Sequence, residues 1–334
     1  MSLENFNKPR FRRQPETGPT NSETEGAKMY TLESGMDVEL HWKSCEPTQD
    51  PEKATEEIPS DRAVILLPGI EVHAKNKSTD GLSRAFADAS HQRTFAVTTE
   101  SKERQRGAAT TELNSLFEEA RAISTFIKER GLKHVTLAGY SVGGNKAIDI
   151  AYLLQNDPEV KIDGVVLLAS VALYDQRPID LTKNLLNDSF VRTPTNLVQE
   201  KGAKAAFGQW LRVATDVGSQ LIGNTLSSPS HAGRLMRGIK EMSRMNPRIP
   251  EITAPVILIA GEEDLVSDAK KIVPNEIAKR GRGAYLQEHL FKKSPYVRMA
   301  IAEKQSNHGL TYFRSDDVAR TAIQLLRRHH RPSE

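Results

Sequence analysis

Apolar residues in this chain fall into two patterns. Short continuous runs occur at Ala63–Leu67, Phe95–Thr98, Val135–Ala138, Gly164–Ala169, Pro255–Ala260 and Tyr296–Ala302. Such runs are apolar on both faces and predict buried parallel strands. Between them, apolar residues recur every three or four positions, which predicts helices at Asp80–Gln92, Thr110–Arg130, Asn145–Leu154 and Val318–Arg328. In Thr110–Arg130 the residues Leu113, Leu116, Phe117, Ala120, Ile123, Phe126 and Ile127 form one face. Strands alternating with helices at this pitch indicate βαβ units. The expected fold is therefore α/β, with a mostly parallel central sheet flanked by helices. Two further short strands, Tyr30–Leu32 and Val38–Trp42, precede a charged loop, Glu46–Arg62, that contains Pro47, Pro51 and Pro59.

The alternation breaks between Tyr174 and Pro250, where helical patterns replace strands; one of them contains Phe207, Trp210, Leu211, Ala214, Val217, Leu221 and Ile222. This predicts four segments: a disordered polar tail at 1–28, a first core part at 29–173, a helical cap insertion at 174–250 and a second core part at 251–334. A cap over the carboxyl edge of the sheet would place Phe207, Trp210 and Leu211 as candidates for an apolar substrate pocket, or for the cap's own core.

Composition narrows the function classes. The chain has 334 residues, enough for one large α/β domain with an insertion. Its formal net charge of +3, from 46 basic and 43 acidic side chains, gives no reason to expect a nucleic-acid partner. A single cysteine, Cys45, rules out an internal disulfide and a thiolate metal site. No segment reaches the ~18 consecutive apolar residues needed to cross a bilayer. Residues 1–28 lack the apolar stretch of a secretory signal, so the cytoplasm is the expected location. No cofactor or metal is called for. The expected partner is a small acyl substrate, and the oligomeric state is not legible.

The candidate chemistry begins at Gly139-Tyr140-Ser141-Val142-Gly143, a G-x-S-x-G between a predicted strand and a predicted helix. A sharp strand-to-helix turn would hold the serine in a strained conformation above the sheet. Glycines at 139 and 143 remove side chains that would collide as the backbone reverses. Serine needs an adjacent base. Among nine histidines, His308 is best placed, in Asn307-His308-Gly309 after the last strand. The imidazole needs a carboxylate; Asp264 follows the Pro255–Ala260 strand, with Glu262, Glu263 and Asp268 as nearby alternatives. An oxyanion formed at Ser141 needs two N–H donors. Val142 supplies one, and Ile70, after Leu66-Leu67-Pro68-Gly69, is the candidate for the other.

Together the elbow Gly139–Gly143, the loop Gly261–Val266 and the Asn307-His308-Gly309 turn resemble the α/β-hydrolase superfamily, in the chain order Ser, Asp, His. The resemblance covers about Ala63 to the end. It implies a Ser141–Asp264–His308 triad, an oxyanion hole from the N–H groups of Val142 and Ile70, and hydrolysis of an ester, thioester or lactone through an acyl-enzyme. Pro68-Gly69 stands where many relatives have His-Gly. The His-Gly-Gly-Gly of one lipase group is absent, and serine at the elbow argues against subfamilies that use aspartate there. An acyltransferase or thioesterase with the same triad, and a hydrolase-like binding protein with little turnover, are the alternatives.

Overall fold

The computed structural model describes residues 24–48, 58–69, 74, 77–103, 115–188, 229–277, 281–302, 308–309 and 314–330. Along these residues run β1 (Glu25–Thr31), β2 (Met36–Cys45), β3 (Arg62–Leu67), α1 (Lys77–Ser90), β4 (Arg93–Glu103), α2 (Ser115–Glu129), β5 (His134–Tyr140) and α3 (Val142–Leu154). They continue with β6 (Lys161–Leu168), α4 (Pro178–Asn187), α5 (Pro229–Met242), β7 (Val256–Gly261), α6 (Ala269–Ile272), α7 (Arg282–His289), β8 (Val297–Ala302) and α8 (Ser315–His330).

The strands form one eight-stranded sheet in the order β1-β2-β4-β3-β5-β6-β7-β8. The first two strands run antiparallel to their neighbours. From β4 onward every pairing is parallel. This is the α/β sheet expected from the alternation. The strand pattern explains the two layers of helices. In β3, Ile65 and Leu67 pack with α2 and α3 residues such as Ile123, Phe126 and Ile148, while Val64 and Leu66 pack with Leu82 and Phe86 of α1 and Val318 and Ala322 of α8. Both faces of the strand are covered, so both must be apolar. Phe126 is fully buried, with its ring 5.4 Å from Trp42 and edge-on to Phe95 at 5.9 Å; truncating it to alanine would cost about 3–5 kcal/mol.

The structure departs from the sequence reading at several edges. β1 begins at Glu25, ahead of Met29, because it pairs along its whole length with β2, Glu25 opposite Lys43. The half-polar alternation of β1 made its outer residues look like tail. The short helices α6 and α7 carry too few apolar residues to show a period in the sequence. Of the segment read as an insertion, 174–250, α4 and α5 are described, with the short turn Ile249–Glu251 at its end. Phe207, Trp210 and Leu211 lie outside the described residues, as does Ile70. Among the described residues no helix is long and apolar enough to cross a membrane.

Candidate active site

Parallel strands point their carboxyl ends to one edge of the sheet, and open α/β sheets bind ligands there. Pro68-Gly69 follow β3, Ser141 follows β5, Ala169-Ser170 follow β6, Asp264 follows β7 and His308 follows β8. The fold thus gathers at one edge residues that are far apart in the chain.

The turn at Ser141 is built locally. Ser141 has φ 55° and ψ −119°, a strained positive-φ conformation that costs a non-glycine residue roughly 1–3 kcal/mol. The surroundings impose it. The Ser141 N–H donates to Leu168 O (2.9 Å), and its carbonyl accepts from the N–H groups of Gly144 (3.1 Å) and Val171 (3.3 Å). A Cβ on Gly139 would run into the backbone of Gly143 and Gly144, and a Cβ on Gly143 into the carbonyls of Leu67 and Pro68. The glycines therefore let α3 start against the end of β3. Gly69 lies on the same turn: a Cβ there would sit 3.1 Å from the Tyr140 ring and 3.4 Å from the Ser141 Cβ. The loop read as a source of an oxyanion donor thus touches the elbow at Gly69. Val142 opens α3, and a first helical N–H has no acceptor within its helix.

The structure brings together Ser141, His308 and Asp264. His308 Nε2 lies 2.9 Å from Ser141 Oγ, and Nδ1 lies 3.2 Å from each carboxylate oxygen of Asp264. All three side chains are buried. Asp264 Oδ1 accepts from the N–H groups of Val266 (2.8 Å) and Ser267 (2.9 Å), and Oδ2 accepts from the Ser267 hydroxyl (2.6 Å). Burial by itself would push the Asp264 carboxyl up. The charge and N–H of His308, with the Ser267 donors, outweigh burial and hold it below the usual aspartate range. The imidazole mirrors this. Burial would lower it, but the charge and hydrogen bond of Asp264, then the charge of Asp188, raise it above the usual histidine range. Of the neighbouring carboxylates, Glu262 and Glu263 are exposed, and half-buried Asp268 caps α6 by accepting from the Lys270 N–H (3.0 Å).

Four contributors were not singled out in the sequence. Tyr140 donates its hydroxyl to the His308 carbonyl (2.9 Å). Ser267 orients Asp264, and Ser170 sits under the elbow, where a Cβ on Gly144 would strike its hydroxyl. Asp188, at the end of α4, accepts from the His308 N–H (2.9 Å). Tyr140 lies inside the elbow motif and Ser267 directly follows the Gly261–Val266 loop, so the motifs and their flanks could have suggested these two; Ser170, after the Gly164–Ala169 strand, flanks no motif. Asp188 has no such signal. Asp188, Asp264 and His308 bring ligand-type atoms within 4.8 Å of one another. The Asp264 oxygens already accept from three donors besides facing the imidazole, so this group orients a ring rather than cages an ion.

Fold and edge geometry together define an α/β-hydrolase. A family profile described as serine aminopeptidase, S33, matches residues 100–293. That is more than half of the chain, and the chain belongs to this family; the matched span includes Ser141 and Asp264 and ends before His308. Among solved structures the chain is similar to an esterase from Exiguobacterium antarcticum, with 16% identity and a TM-score of 0.55 over 90% of this chain and 100% of that one. It is also similar to a thermophilic esterase from Thermogutta terrifontis, with 14% identity and a TM-score of 0.57 over 92% of this chain and 100% of that one. An α/β-hydrolase fold protein from Chitinophaga pinensis matches with 14% identity and a TM-score of 0.53 over 92% and 99%. At these identities the likeness concerns the fold.

Proposed function

We propose that the protein is a serine hydrolase that cleaves a carboxylic ester, thioester or lactone through an acyl-enzyme on Ser141. The observation that carries this reading is the buried chain Ser141 Oγ, His308, Asp264, with contacts of 2.9 and 3.2 Å. With its proton on Nδ1, His308 donates to Asp264 and accepts from the Ser141 hydroxyl. As Oγ attacks the substrate carbonyl carbon, Nε2 takes the hydroxyl proton. The carbonyl oxygen becomes an oxyanion facing the Val142 N–H at the start of α3, with Ile70 as the second donor. Collapse expels the alcohol, thiol or opened-ring hydroxyl, which takes the proton from Nε2. Water then enters and attacks the acyl carbon as Nε2 takes its proton; collapse breaks the bond from Oγ to the acyl carbon, Oγ takes the proton back from Nε2, and the acid is released. Transfer of the acyl group to an acceptor other than water uses the same steps and is the alternative within this chemistry.

A second reading comes from the family's description: release of an N-terminal residue from a peptide by the same triad acting on an amide. Both readings use the Ser141, His308 and Asp264 contacts in the same way and differ in the leaving group. The test is labelling by a fluorophosphonate probe, with turnover of p-nitrophenyl acetate against alanine p-nitroanilide. Wild type should be labelled at Ser141 and should prefer the ester. Ser141→Ala should lose labelling and at least about 10³-fold in kcat. Ester turnover by Ser141→Ala within about tenfold of wild type would remove Ser141 as nucleophile. A preference for the anilide would select the peptide reading.

A further inference from the structure

We propose that Asp188 is a positioning residue for His308, tying the main chain of the base to the first helix of the insertion so that the seat of α4 sets the placement of the imidazole. This rests on the reading of His308 as the base of Ser141.

His308 is held at four points among the described residues. Its ring nitrogens face Asp264 and Ser141. Its carbonyl accepts from the Tyr140 hydroxyl at 2.9 Å, and its N–H donates to Asp188 Oδ2 at 2.9 Å. Three of these partners belong to the sheet edge. Asp188 comes from the insertion, 120 residues away in sequence from the base. Two main-chain contacts, one on each peptide group flanking the residue, fix the His308 backbone, and the backbone fixes where the ring can reach. Without them the ring contacts would have to hold a loop as well as a tautomer.

α4 is in turn fastened to the acid loop. Asn184 Nδ2 donates to Leu265 O at 2.9 Å, and Leu181 packs with Val266 in the cluster that also holds Val142 and Val171. One helix of the insertion therefore bonds the loop carrying Asp264 and the main chain of His308, and shares an apolar cluster with Val142, the residue after Ser141. A shift of α4 would reach the base directly.

The residue type matters. Asp188 has 0% exposure. Burying a carboxylate is costly unless it is paired or hydrogen-bonded, and a charge-assisted N–H contact is among the stronger ones available. A neutral amide would accept the same N–H at less cost. The carboxylate adds negative charge beside an imidazole that must become positive during the reaction. Among the described residues, the titratable groups facing His308 are Asp264 from the loop after β7, Asp188 from α4 and Tyr140 from β5, whose ring lies 5.2 Å from the imidazole. Asp188 contributes to the raised affinity of His308 for its proton, behind Asp264.

The two contributions separate in two variants. Asp188→Asn keeps an oxygen for the His308 N–H and removes the charge. Its acid limb in the pH profile of kcat/KM should move to lower pH, with kcat down by less than about tenfold. The NMR titration of the His308 ring, assigned with His308→Gln, should move down by the same amount. Asp188→Ala also removes the acceptor, and kcat for p-nitrophenyl acetate should fall up to about 10²-fold with KM little changed. Fluorophosphonate labelling of Ser141 should slow in parallel. Circular dichroism and melting curves establish that each variant is folded, and Asp188→Asn carries the test if the alanine variant is not. An unchanged His308 titration in folded Asp188→Asn overturns the proposal, and so does a wild-type kcat in folded Asp188→Ala. The ring titration does not depend on turnover. If wild type proved inert toward esters and probe, the hydrolase reading would fail while a shifted titration still placed Asp188 on His308.

Discussion

Asp264 and Asp149 are aspartates of nearly equal burial, 2% and 1% exposed, on opposite sides of the elbow. Asp264 stands in front of it, after β7. Asp149 lies behind it, on α3, where Asn246 Nδ2 donates to its Oδ1 (2.9 Å) and Arg248 Nη1 reaches the same oxygen (3.2 Å). Asn246 also bonds the Asn145 side chain and donates its N–H to Ala172 O (2.9 Å), while Arg248 lies 3.7 Å over the Phe117 ring. This node pins the chain leading into β7 to α3, the helix that starts after Ser141. Yet the two carboxyls are driven in opposite directions. Burial pushes Asp149 up, and Asn246 and Arg248 pull it back only in part. Its Oδ2 has no partner among the described residues. Asp264 has donors on both oxygens and an imidazole beside it, and ends below its ordinary value. Burial does not decide whether a carboxylate keeps its charge; the number and charge of the donors aimed at it do.

That difference predicts which aspartate matters for turnover and which for stability. The largest expected effect is on Asp264. Asp264→Asn should lower kcat by about 10⁴-fold, as removal of the orienting carboxylate does in Ser-His-Asp enzymes. Glu262→Gln, Glu263→Gln and Asp268→Asn should stay close to wild type. Kinetics with p-nitrophenyl acetate check this, and a larger loss in Asp268→Asn would move the acid to the wrong residue of the loop. Next in size is the node behind the elbow. Asn246→Ala strips a donor from buried Asp149 and should cost about 2–4 kcal/mol in urea unfolding, with kcat changed by less than about tenfold. A collapse of kcat without loss of stability would show that this node belongs to the chemistry after all.

The smallest effect, and the sharpest on the comparison, is the pH dependence of stability. Asp149 has a raised folded value, so its contribution is full below the ordinary aspartate pKa and is lost as pH rises through the folded one. Asp264 has a lowered value, so its contribution is present above the ordinary pKa and is lost as pH falls through the folded one. His308, raised, contributes fully below the ordinary histidine pKa and less as pH rises through its folded value. Relative to wild type, Asp149→Asn should therefore gain stability as pH rises from about 3 to 7, and Asp264→Asn should lose it over the lower part of that range. Urea midpoints at a series of pH values measure both. Parallel trends in the two variants would mean that the carboxyls are alike.

The sequence by itself determined what depends on neighbours in the chain. Two-sided apolar runs specify strands that must be covered on both faces, and the parallel α/β sheet follows from their alternation with helices. G-x-S-x-G carries its own geometry, because the glycines that let the backbone reverse lie within two residues of Ser141. His308 and Asp264 were legible as residues that follow the ends of strands, since strand order brings such positions to one edge. Only the tertiary structure separated Asp264 from Glu262, Glu263 and Asp268, by burying one and exposing or half-exposing the others. Asp188, 120 residues from His308, and Asn246, 97 residues from Asp149, left no local mark at all. A side chain's role as donor, acceptor or charge is set by what stands within about 3 Å of it. In this protein the partners that set those roles come from distant parts of the chain.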